Sequence, residues 1–505
     1  MLRSLLALVL ALSSPLPYEA HLFTNDTTRN YREAHELAIL KELEELLSIP
    51  NVASDTANIR LNANKLLEMM GRRGIAARLF EGSGPPAVFG ELKTPGAQKT
   101  IGLYAHYDGQ PVEPAKWATD PFKPTLRSGV LETGAPIAEP PQSGNRVNPE
   151  WRLYARSASD DKAAIAAILT ALDSIRAEGK APSVNLKFLF DGEEEAGSPG
   201  LPAIARAHAS ELGADIWLCA DGPVHQSRRP QLYFGCRGVV KMDITVYGAS
   251  RALHSGHYGN WAPNPAMRLA KLLASMKDDK GRVLVSGFYD GVVPLGPAET
   301  KALREMPKPD SELMRELGIA STESDGASLA EAINQPSLNI DGLRSEDVAA
   351  QSRTIIPAEA TATIDLRLVK GISPATQVAR VTAHIEKQGY HVVRDKPDAE
   401  TRARYPLIAR VSSESGYPAV RTAMNLPVVE AVIKAVESGL GQRPVLLPTM
   451  GGSGPLWILE EVTRAPQVGV PIANHDNNQH SSNENLRIQN LWDGIEMFAG
   501  IMKMK

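Results

Sequence analysis

Leucines recur at helical spacing through residues 31–49 and stop at Pro50, so the pattern predicts an amphipathic helix. A second helical pattern runs from about Ala57 to Met70, ending near Gly71. Short strand-like runs follow at 77–80 and 87–90. The apolar run Thr100–Ala105 reads as a buried strand and ends in His106-Tyr107-Asp108-Gly109. Residues 132–149 are rich in Pro, Gly and Asn and predict a long irregular loop. Ser157-Ala158-Ser159-Asp160-Asp161-Lys162 opens an Ala-rich helix to about Ile175, with Asp161 as a candidate N-cap. The apolar run Val184–Phe190 then breaks into Asp191-Gly192-Glu193-Glu194-Glu195. A helix over about 201–212 leads to a strand over 216–220 that ends in Asp221.

Strands alternating with helices imply an α/β unit, a mostly parallel sheet sandwiched by helices. From Val239 the texture changes. Residues 240–246 and 360–368 alternate like half-exposed strands, and helical patterns lie at about 265–276 and 374–388. This predicts a separate α+β domain over 237–410, inserted between parts of the first at 31–236 and 411–505. Helices at about 427–438 and 488–502 restore the α/β texture at the end.

The 505 residues exceed one compact core, consistent with two domains. Net charge is −4 without long charge runs, which gives no basis for a nucleic-acid partner. Met1-Leu2-Arg3 followed by an apolar run to Leu12 predicts a signal peptide over 1–20, hence an exported chain with no membrane span once it is removed. Cys219 and Cys236 are the sole cysteines; Cys219 lies in an apolar run where a buried free thiol is expected.

Four carboxylates at the end of a buried strand repel one another and need a positive partner. The strand ends supply candidates: His106, Asp160, Glu195, Asp221 and His480. Two imidazoles and three carboxylates suit zinc, with manganese or cobalt also possible. Five ligands exceed what one catalytic zinc uses, whereas two ions sharing one carboxylate give each three ligands.

His106-Tyr107-Asp108, Ser159-Asp160-Asp161-Lys162, Gly192-Glu193-Glu194-Glu195-Ala196-Gly197-Ser198, Ala220-Asp221, Leu253-His254-Ser255-Gly256 and His480-Ser481-Ser482-Asn483-Glu484 follow one another in the order and spacing of a known family. The chain from about Tyr31 to Met502 resembles the M20 co-catalytic metallopeptidases, among them carnosinase-like dipeptidases, aminoacylases and glutamate carboxypeptidases. The carnosinase-like branch is nearest, through Arg353-Thr354-Ile355-Ile356-Pro357, Leu366-Arg367-Leu368-Val369 and Gly451-Gly452-Ser453.

The resemblance implies that Asp160 bridges two divalent ions, one also held by His106 and Asp221, the other by Glu195 and His480. It makes Asp108 the residue that orients His106, and Glu194 the general base that draws a proton from a metal-bridging water. The first domain becomes catalytic and the inserted one a lid or dimerisation domain. His254 becomes a lid histidine that hydrogen-bonds the oxyanion, sometimes across a dimer interface. Thr354, Arg367, Gly452 and Ser453 become substrate-holding residues. The implied enzyme is an exported hydrolase of small peptides or N-acyl amino acids, homodimeric through its lid; a non-catalytic peptide-binding protein with a retained metal site is the alternative.

Departures from the family pattern are visible. Ala155 and Ser157 replace flanking glycines, tolerable where the backbone avoids positive φ. Thr449 stands where carnosinase-like enzymes carry Arg, so that carboxylate partner is missing or supplied elsewhere.

Overall fold

In the computed structural model, which describes residues 26–142, 146–324 and 326–505, the leucine-rich pattern forms the helix Asp26–Leu47. The next helix, Thr56–Arg72, begins where the Asp55 side chain accepts the Asn58 N–H at 3.2 Å. Eight strands then make one sheet in the order Ala76–Phe80, Ala87–Leu92, Asn185–Asp191, Thr100–His106, Ile216–Cys219, Gln467–Gly469, Gln231–Tyr233, Val445–Leu447.

The centre of this sheet is parallel, as is the pairing of its last two strands. The first two strands run antiparallel to each other and to the centre, and Gln467–Gly469 pairs antiparallel with Gln231–Tyr233. Four of its seven pairings are thus parallel, so the sheet is mostly parallel, with antiparallel pairs towards its two sides. Only Glu81–Pro86 separate the first two strands, too little chain for a parallel crossover.

Side chains alternate across the sheet. Ile101, Leu103 and Ala105 face the core under helices Asp26–Leu47, Lys162–Ala177, Pro427–Leu440 and Ile488–Met502. Tyr104 and Trp217 face the opposite layer, with Leu201, Ile204 and Leu459 from two shorter helices. A Cβ at Gly102 would lie 2.3 Å from the Trp217 ring, so the strand keeps glycine where the indole crosses it. Helix Leu201–Ala207 stops short of the expected Leu212.

A second sheet runs Ser337–Arg344, Glu359–Leu368, Gly238–Tyr247, Ile408–Ser413, His391–Val393, antiparallel except for its last pair. Helices Pro265–Ala274 and Pro374–Lys387 contribute Leu269, Leu272, Val381 and Ile385 to its separate core. One part of this stretch returns to the first sheet. Helix Pro297–Glu305 packs on Val445–Leu447, and the Glu299 carboxylate accepts the Met424 N–H at 3.2 Å.

Cys219 and Cys236 are buried free thiols. Among the described residues no helix is long and apolar enough to cross a membrane. The apolar leader, residues 1–20, lies outside the described residues.

Candidate active site

The parallel strands deliver His106 and Asp191 at one edge, and Asp221 follows two residues after Cys219 on the same edge. His106 is fully buried. Its Nε2 lies 2.8 Å from Asp160 Oδ1, and its Nδ1 lies 3.3 Å from Asp108 Oδ1. Asp108 also accepts the backbone N–H groups of Glu194 and Glu195, at 3.0 and 3.1 Å. It thus fixes both the imidazole and the acidic turn.

Asp160 precedes helix Lys162–Ala177 and is held by Glu484. That buried carboxylate accepts the N–H groups of Ser157, Ser159 and Asp160 at 2.9–3.0 Å, and pairs with Arg156 at 2.8 Å. Lys162, also buried, donates to the carbonyls of Leu46 and Ile49, tying the turn to the end of the first helix. Asp161 occupies the N-cap position without capping; its Oδ2 accepts the His106 N–H at 3.3 Å. Ser157 sits at φ 59°, so the expected avoidance of positive φ fails there. Its N–H on Glu484 and its hydroxyl, which accepts from Asn51 at 2.9 Å, hold that conformation.

Nε2 of His480 reaches Asp160 Oδ2 and Glu195 Oε2, each at 3.2 Å. Two donor groups result, with ligand atoms in each within 4.8 Å of one another: His106, Asp160 and Asp221, and Asp160, Glu195 and His480. Gly222 turns the chain after Asp221 at φ 108°, and a Cβ there would lie 3.1 Å from the Met450 sulfur.

Burial and surrounding carboxylates raise the pKa values of several carboxyl groups here. Burial pushes Asp108 up to about 6; burial and Asp160 push Asp221 up to about 7. Glu194 is pushed well above the usual carboxylate range by burial, with Asp221, Glu195 and Asp160 adding to it. Burial acts in the same direction on Asp160, but His106 and His480 outweigh it and hold this carboxyl low. Hydrogen bonds to Asp160 and Glu195 raise His480 to about 10. Among the described residues, the salt-bridge partners of Asp108, Asp160 and Glu195 are only His106 and His480. Nδ1 of His106 is buried without an aligned hydrogen bond. Buried carboxylates short of positive charge, set among imidazoles, fit a pair of divalent cations.

A cavity of about 660 Å³ opens beside these groups, lined by Asp160, Glu194, Asp221, His480, Arg367, Gly452 and Ser453. Arg367 donates to Asp365 and to the Ser453 hydroxyl, both at 2.9 Å. His254 and Thr354 are not brought there: both are exposed and outside the cavity lining, joined through the Ser255 N–H on the Thr354 carbonyl. Three residues of this site were given no role in the sequence reading, although Glu484 closes one of its motifs. Gln110 donates to Glu195 at 2.8 Å, Gln479 donates to Asp160 at 3.1 Å, and Glu484 holds the Asp160 turn. Gln110 and Gln479 lie within two residues of Asp108 and His480, and that adjacency was their only signal. Glu193 is buried and accepts the Gly200 N–H. The 132–149 loop touches the His480 segment through Asn478, which donates to Glu132 at 3.4 Å.

The α/β fold and a paired donor site beside a cavity define a metallohydrolase. The family model for Peptidase family M20/M25/M40 matches residues 102–504, and the chain belongs to that family. It is 26% identical over 476 residues to the Cys-Gly metallodipeptidase of Schizosaccharomyces pombe, covering 90% of this chain and 93% of that one. It is 25% identical over 534 residues to the human Beta-Ala-His dipeptidase, covering 99% and 97%. An M20 family metallo-carboxypeptidase from Sulfolobus solfataricus superposes with a TM-score of 0.75 at 28% identity, covering 92% and 98%. The chain is a hydrolase of this family, which leaves no support for a purely binding role. Export does not stand: these relatives lend it no support, and the apolar run that suggested it lies outside the described residues.

Proposed function

We propose that the chain is a dipeptidase that hydrolyses the peptide bond of a small peptide with two divalent ions and Glu194. The observation that carries this reading is the sharing of Asp160 by two donor groups, with Glu194 in the cavity beside them. The names of its relatives, Cys-Gly metallodipeptidase and Beta-Ala-His dipeptidase, support the dipeptide class. His106 and Asp221 would hold one ion, Glu195 and His480 the other, with Asp160 between them; these donors suit zinc, manganese or cobalt. When bound, such ions polarise a carbonyl and lower the pKa of water.

Glu194 takes one proton from the attacking water as its oxygen bonds to the scissile carbon. It returns that proton to the amide nitrogen as the C–N bond breaks. Asp108 keeps Glu194 aimed by accepting its backbone N–H. Arg367 and Ser453 hold the substrate carboxylate, taking the place of the Arg that Thr449 replaces; the Gly452 backbone lines the same wall.

Residues 237–410 form the lid through which two copies pair. Support comes from its edge strand Ser337–Arg344, where Ile340 and Leu343 are 50% and 62% exposed. His254 and Thr354 then serve the neighbour's cavity. The test is release of amino acids from a panel of dipeptides and N-acyl amino acids, abolished by chelator and restored by Zn2+ or Mn2+. A fully metal-loaded protein that cleaves no dipeptide overturns the reading.

A further inference from the structure

The cavity extends past the donor groups to a wall built by residues 303–310 and 328–333, from the segment lying between the strands Gly238–Tyr247 and Ser337–Arg344. This segment is anchored to the first sheet. Besides Glu299 on the Met424 N–H, Arg421 donates to the carbonyls of Val293 and Pro294 at 2.8 Å, just before it. Asp310 accepts the Leu329 N–H at 2.7 Å and so joins the two turns of the wall. Leu303, Met306, Leu329 and Ile333 line the cavity together with Leu447 and Met450.

Three features of this region bear on what fills it. Leu329 is 49% exposed, and Met306, Ile333 and Met450 are only partly covered although they pack on an apolar core. Apolar surface left open inside a walled cavity is unfavourable until an apolar group covers it. His225, on the loop that runs on from Asp221, is buried at the cavity edge and offers no positive charge. Its Nδ1 accepts the Ser227 N–H at 3.1 Å, and burial, with Arg229 and His475 nearby, lowers its pKa to about 4. The lysines that reach the cavity, Lys241 and Lys308, are exposed to solvent.

We infer that this wall is the side-chain pocket that sets substrate choice: it takes a bulky, uncharged apolar side chain of the peptide. The inference rests on the dipeptidase reading and adds the substrate class to it. An apolar side chain moved from water into such a pocket raises kcat/KM by about 10- to 100-fold over glycine.

The test uses the metal-loaded full chain and dipeptides in which each position in turn is Gly, Ala, Leu, Phe, Glu or Lys. At one position kcat/KM is expected to rise from Gly to Leu or Phe by that factor, with Glu and Lys poorer than Leu. Leu329→Asp and Ile333→Asp should each cut the Leu-to-Gly ratio by about 10-fold. Leu61→Asp, on an exposed helix face, should leave the ratio alone. Leu329 is exposed enough that its variant folds even if the Ile333 variant does not. Cleavage without apolar preference, a preference for Glu or Lys, or an unchanged ratio in Leu329→Asp overturns this inference alone. Cleavage of no dipeptide overturns the dipeptidase reading and this inference with it.

Discussion

Glu484 and Asp160 stand 324 residues apart in sequence, yet Glu484 Oε1 accepts the Asp160 N–H at 3.0 Å. The same carboxylate gathers the N–H groups of Ser157 and Ser159, so one buried side chain shapes the turn that presents Asp160, the proposed shared ligand. Glu484→Gln replaces one acceptor oxygen with an N–H donor facing these donors. Metal affinity is expected to fall about 10- to 100-fold, as for other groups that orient ligands. Metal titration of the purified variant checks this; unchanged affinity would show that the turn holds itself.

Asp108 serves His106 and the N–H groups of Glu194 and Glu195 together. Asp108→Asn keeps the shape but cannot accept on both atoms. Both metal affinity and kcat are expected to fall, whereas a residue that only oriented His106 would affect chiefly the metal. Comparing kcat at saturating metal with affinity separates the two.

The strand ends were legible because apolar runs stop at charged residues: His106 after Ala105, Glu194 and Glu195 after Phe190, Asp221 after Ala220. What escaped was contact between distant segments. Nothing local in Glu484 reveals the three N–H groups it accepts, and Gln110 and Gln479 are amides that many surface loops carry. The antiparallel pairs at the sides of the sheet were not legible because pairing direction depends on connection length, not on apolar pattern. The wall at residues 303–310 and 328–333 was invisible because its half-covered leucine and methionine have a meaning only together with Leu447 and Met450, which are distant in sequence.

Stability should depend on pH in opposite ways with and without metal. Asp221 has its folded pKa raised to about 7, so its stabilising contribution is full in acid and is lost as pH rises through that value. His480, raised to about 10, likewise stabilises below the ordinary imidazole range and loses its contribution as pH climbs. Asp160, held low, acts in the reverse sense in a more acid window. Chelated protein should therefore lose Tm between about pH 5 and 8, and the gain in Tm on adding metal should widen as ligands deprotonate. Parallel melting curves across that range contradict the assignment.

His254 is exposed and outside the cavity lining of its own chain. If it serves the partner copy, Glu194→Ala and His254→Ala proteins, each weak alone, regain activity when mixed into heterodimers, because one of the two sites is then intact. A confirmed mixed dimer without rescue refutes action of His254 on the partner's site.

The role of Glu194 is tested most directly by turnover of a good dipeptide by Glu194→Gln loaded with both metal ions. A loss in kcat of at least about 10²-fold is expected, with metal content and fold retained. Full turnover in that variant would contradict Glu194 as the proton carrier.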